Sequence, residues 1–138
     1  MRRAYYCLLL LLLLLLLMAG CQPFGLKNFG VEQVIDNHND IENLDGLNRF
    51  IDKVNKEVEA KLNFVSYGIE GQRKVETLTF NGEQIDISAS VDGVSLEEYM
   101  CKDIYVKVED MERKYILSEC TGSSGKSYDN EILTVPND

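Results

Sequence analysis

Histidine is the scarcest chemistry-bearing residue here: the 138 residues hold one, His38, together with two prolines and no tryptophan. A single histidine excludes a zinc site built on several imidazoles, and any serine triad would have only His38 as its base. No G-x-S-x-G elbow occurs to present a nucleophile. A complete phosphate-binding loop is missing too. Gly125-Lys126-Ser127 resembles its end, but the glycine needed five residues earlier is Cys120. Nucleotide is therefore not an expected ligand, and no cofactor is expected. Positive charge is also sparse. Lysine and arginine number 14 against 23 acidic residues, for a net charge of −9. Such a surface repels nucleic-acid phosphates and anionic headgroups, which excludes nucleic acid as a partner. The charges are mixed along the chain, as on a solvated surface. Carboxylate pairs such as Glu97-Glu98 carry no catalytic signal in so acidic a chain.

What is abundant stands at the start. Arg2 and Arg3 precede an unbroken leucine run, Leu8 to Leu17, and Met18-Ala19-Gly20 lead into Cys21. A positive start, an apolar core and a small-residue exit describe a secretory signal. The segment resembles a bacterial lipoprotein signal with its lipobox, although Met18 stands where leucine is usual. The resemblance implies cleavage after residue 20, a diacylglyceryl group on Cys21, and a protein held on the extracellular face of the cell membrane. Two acyl chains suffice for stable attachment, since each buried methylene contributes about 0.8 kcal/mol. The alternative is an uncleaved membrane helix over Ala4 to Gly20, near the minimum spanning length. No basic stop-transfer cluster follows it. Residues 21–30, with Pro23, Gly25 and Gly30, read as a tether. Residues 31–138 read as one domain, more acidic once Arg2 and Arg3 are gone.

Within that domain the hydrophobic period is first helical, then two. Leu44, Leu47, Phe50, Ile51, Val54 and Val58 share one stripe, predicting a helix from 44 to about 59 with Asn43 as N-cap. Val31 to Asp40 is ambiguous between a helical turn and loop chemistry. Leu62–Ile69, Val75–Phe80 and Glu83–Val91 alternate as strands. Asn81-Gly82 signals a two-residue hairpin that opposes Leu78 to Ile85. Leu96 to Met100 reads as a helical turn, and Ile132 to Val135 as a last strand. The second hairpin folds about Asp110-Met111, opposing Val106 to Tyr115, Ile104 to Leu117 and Cys101 to Cys120. Opposed Cβ atoms lie near disulfide range, and an exported chain would oxidise the pair. This alternation puts the cysteines on the face opposite Ile104 and Leu117. The expected fold is α+β: an N-terminal amphipathic helix on a mostly antiparallel sheet of five or six strands, two hairpins, one cross-strand disulfide.

Asp36-Asn37-His38, Ile41-Glu42-Asn43-Leu44, Phe80-Asn81-Gly82, Cys101 and Cys120 resemble an uncharacterised family of lipoproteins and exported domains from bacilli and their relatives. That pattern has a glycine after the histidine, where this chain has Asn39. The resemblance implies a Gram-positive, exported setting and brings no catalytic residue. Asp36, His38 and Asp40 are candidate metal ligands, but a calcium loop starting at Asp36 would need glycine at Ile41 and glutamate at Leu47. The bland reading is a polar loop. The expected function is a non-enzymatic, lipid-anchored binding module (an inhibitor, sensor or envelope-maintenance factor) with an unknown protein or envelope partner. The alternatives are a small surface hydrolase using His38 and a carboxylate, or a weak calcium-binding module using Asp36–Asp40.

Overall fold

The computed structural model describes residues 30–137 and Tyr6. The chain divides into Met1–Gly30 and Val31–Asp138, and the fold is that of the second unit. The expected signal (1–20), tether (21–30) and lipid-attachment residue Cys21 lie outside the described residues, apart from Tyr6 and Gly30.

Strands β1 (Glu32–Asn37) and β2 (Asp40–Glu42) precede a helix, α1 (Leu44–Asn55). Seven further strands follow: β3 (Ala60–Tyr67), β4 (Arg73–Phe80), β5 (Ile85–Val91), β6 (Val94–Cys101), β7 (Asp103–Val108), β8 (Glu112–Thr121) and β9 (Ser127–Pro136). They form one curled, mixed sheet in the order β2-β1-β3-β4-β5-β6-β8-β7, with β9 also on β8. Only β1 and β3 pair in parallel, and α1 lies in the connection between them, as a parallel pair requires. The expectation of five or six strands under a helix is thus overturned: the domain is mostly sheet, nine-stranded, with one helix in Val31–Asn137. Two segments account for most of the difference. Val31–Asp40 holds β1 and the start of β2, and Leu96–Met100 lies inside β6 rather than in a helical turn.

The stripe of α1 is buried through Leu47, Phe50, Ile51 and Val54, against Val34, Leu62, Phe64, Leu78, Phe80, Ile85 and Ile87. Asn43 does not cap the helix. Its backbone is left-handed (φ 59°), and its side-chain amide donates to the Gln33 carbonyl at 2.8 Å. This packing explains Gly46, because a Cβ there would stand 2.7 Å from that same amide nitrogen. The helix ends before residue 59. Glu57 adopts φ 56°, its N–H donates to the Val54 carbonyl, and the Val58 N–H reaches back to Lys53, forming a Schellman end without glycine. Val58 is left exposed.

The β4–β5 hairpin is shifted by two from its expected register: Leu78 opposes Ile87 and Phe80 opposes Ile85. The loop has four residues, because the Asn81 carboxamide oxygen accepts the N–H groups of Glu83 and Gln84 at 2.9 and 3.0 Å. A shift of two preserves side-chain parity, so Leu78, Phe80, Ile85 and Ile87 remain inward. The type I′ signature falls instead at Asp92-Gly93, with φ 48° and 81°. In the later hairpin Val106 opposes Tyr115 and Ile104 opposes Leu117, as expected. Cys101 and Cys120 are joined in a disulfide. Both are buried in the same core as Ile104 and Leu117, not on the opposite face. Two interruptions of the alternation reverse their direction: the break at Lys102 between β6 and β7, and Glu119 at φ 48°.

Candidate functional site

The strands β3 to β6 turn their even or odd positions alternately to the core, and the remaining positions build an outer face. Hydrogen-bonded register lines these up in two rows. One runs Asn63, Thr77, Ser88, Glu98, and the other Lys61, Thr79, Asp86, Met100, Thr121. Where β8 ends, Thr121, Gly122 and Ser123 form a wall beside them. The result is an open trough of about 730 Å³, a volume typical of small-ligand or peptide sites. Its lining is hydroxyl-rich, with one ammonium, Lys61, against two carboxylates, Asp86 and Glu98. Thr77 Oγ1 donates to Asn63 Oδ1 at 2.8 Å, and Gln84 Nε2 donates to Asp86 at 2.8 Å. These bonds fix the floor while leaving Ser88 and Thr79 without side-chain partners among the described residues.

Directly behind the trough lies a buried polar network. The Tyr99 hydroxyl donates to Glu76 Oε1 at 3.3 Å and accepts from Asn130 Nδ2 at 2.9 Å. Lys74 Nζ pairs with the same Glu76 oxygen at 3.1 Å. Glu76 is 6% exposed. Burial, then the Glu76 charge, pushes the Tyr99 hydroxyl well above the usual tyrosine range. The network ties β4, β6 and β9 together and holds Tyr99, whose strand forms one side of the trough. Its members satisfy one another: the Glu76 carboxylate accepts from Tyr99 and pairs with Lys74, and the Tyr99 oxygen accepts from Asn130.

The residues singled out from the sequence sit elsewhere. His38 and Asn39 have φ 54° and 74° and form the two-residue turn between β1 and β2, with Asn37 opposite Asp40. Asp36 Oδ1 accepts the Asn39 N–H at 2.9 Å, so its carboxylate shapes the turn. His38 and Asp40 are exposed. Among the described residues no three His, Cys, Asp or Glu side chains are grouped to hold a metal. A smaller recess of about 200 Å³ adjoins this turn, walled by Ile41, Leu44, Val135 and Pro136. Arg113 also lines it, and its Nε is buried without a hydrogen-bond partner among the described residues. Sequence reading missed the trough. The available signal was Thr77, Thr79 and Ser88 at the outward positions of two paired strands. It also passed over Glu76, a carboxylate in register with Leu78 and Phe80.

A domain of unknown function, DUF4362, matches residues 31–116. The chain belongs to the DUF4362 family. The resemblance to an uncharacterised domain family is therefore correct at that level. No curated protein and no solved structure matches the chain. The DUF4362 match includes the floor of the trough and Glu76 and Tyr99, and ends inside β8. Thr121–Ser123, Cys120 and β9 lie beyond it.

Proposed function

We propose that the chain is an extracellular, lipid-anchored interaction module without catalytic activity, and that its contact face is the outer trough of β3–β6. The observation that carries this reading is the trough itself: two hydroxyl-rich rows bounding about 730 Å³, fixed by the sheet ladder. Rigid polar rows on a sheet can orient a ligand with few ordering costs. The leader ending in Cys21 supports the anchor, and a cysteine pair that bonds in the fold suits an oxidising compartment. His38 stands in the exposed turn between β1 and β2, away from the trough.

The test is a photo-crosslinking amino acid placed at Ser88 in the trough, or at Asp52 on the exposed side of α1, in living cells. A discrete adduct from Ser88 and none from Asp52 is the expected result. Equal adducts from both positions, or none from Ser88, would remove the trough as the contact face.

A further inference from the structure

One stretch of sheet next to the trough lacks a neighbour. On its far edge β6 pairs only once, Met100 with Thr121 of β8. Gly122 then covers Tyr99, since a Cβ on Gly122 would lie 3.6 Å from the Tyr99 Cβ. The remaining residues, Val94–Glu98, are all exposed and pair with β5 alone among the described residues. Their side chains are unusual for an idle edge. Val94 and Leu96 are 67% and 61% exposed, and Glu97 and Glu98 form no ion pair among the described residues.

We propose that the Val94–Glu98 edge of β6 takes up an extended basic peptide segment as an added strand. This rests on reading the domain as an interaction module, and it names the partner's chemistry. Free N–H and C=O groups of an edge supply main-chain hydrogen bonds, and alternate side chains supply selectivity. A lysine or arginine opposite Glu98 would lie over the trough, where Asp86 adds to the negative field. An apolar side chain two residues away would cover Leu96. Charge complementarity selects this occupant over a second copy of the chain. Antiparallel self-pairing of Val94–Glu98 brings four carboxylates onto one short ladder with no cation among them, whereas a basic strand neutralises Glu97 and Glu98. Geometry selects in the same direction. Ala89 pairs with Glu97 and Ser90 with Ser95, which makes Leu96 the extra residue of a bulge. A bulge twists an edge away from another folded sheet, whereas a single flexible strand can follow the twist.

The probe is a heptapeptide of alternating valine and lysine, added to the full chain in detergent and followed by amide hydrogen exchange and titration. Saturable binding with slowed exchange at Val94–Glu98 is expected. N-methylation of alternate peptide amides abolishes it, and replacing lysine by glutamate weakens it at least about fivefold. The double variant Glu97→Lys with Glu98→Lys reverses the preference. Equal binding of both peptides, protection outside β6, or dimerisation through β6 would overturn the proposal. If the peptides fail while Ser88 still crosslinks in cells, the edge assignment falls and the trough stands. If both fail, the interaction reading falls with it.

Discussion

Asn39 shows how much one backbone angle decides. It occupies the left-handed region at φ 74°, at the second turn position after His38. Glycine and asparagine tolerate that region, and a bare Cβ does not, which is why asparagine can stand where the family resemblance has glycine. Asn39→Gly should leave thermal stability unchanged within about 0.5 kcal/mol, and Asn39→Ala should cost about 1–2 kcal/mol; paired denaturation curves check both. The turn chemistry of Asp36–Asp40 is legible in the sequence. That Asp36 serves the Asn39 N–H is not, because a carboxylate beside a histidine looks the same in a turn and in a metal loop. Glu109 gives a second residue-scale test. Hydrogen bonds from Lys107, then Lys114, hold its carboxyl at about 2, below the ordinary 4.5. A depressed folded value means that its stabilising contribution is present above about 4.5 and is lost as pH falls toward 2. Carboxyl NMR titration should find Glu109 still ionised at pH 3, and Lys107→Ala should raise its midpoint. The three groups are partly exposed, so added salt should shrink the shift.

Among the elements, α1 and the β7–β8 hairpin are legible from sequence, and β1 and β6 are not. Strong alternation with the core on one side specifies register, and the opposed pairs Val106–Tyr115 and Ile104–Leu117 follow from it. Val94–Glu98 of β6 are exposed on both faces, so no alternation marks them as a strand. The same exposure makes that segment the candidate docking edge. Its neighbour, the trough, is hidden for a related reason: outward threonine and serine on a strand look like ordinary solvated positions. Asn81-Gly82 misleads in another way, since the Asn81 side chain bonds forward and lengthens the loop. The disulfide belongs at this scale because it clips β6 to β8 across 19 residues of separation, where backbone pairing is thinnest. Reduction, or Cys101→Ser with Cys120→Ser, should cost about 3 kcal/mol and lower Tm by more than about 10 °C in a domain of this size. Calorimetry with and without reductant measures it. An unchanged Tm would mean that the β6–β8 junction holds without the bridge.

At the scale of the molecule, the sheet curls around one apolar core that α1 completes on one side and β9 on the other, through Leu133 and Val135. The DUF4362 match stops inside β8, so this chain finishes its core with a strand beyond the matched segment. The folded unit shows a cysteine pair closed on itself, and the chain as a whole is acidic. The proposed function joins these: acyl chains at Cys21, a bonded cysteine pair beyond the membrane, and a polar face turned to a partner. Intact mass spectrometry of the native protein, extracted with detergent from washed cells, tests that union directly. The expected species begins at Cys21, carries the added mass of a diacylglyceryl group, and lacks the two hydrogens removed by the Cys101–Cys120 bond. A chain found in the cytosol with Met1–Gly20 still attached and both thiols free would contradict it.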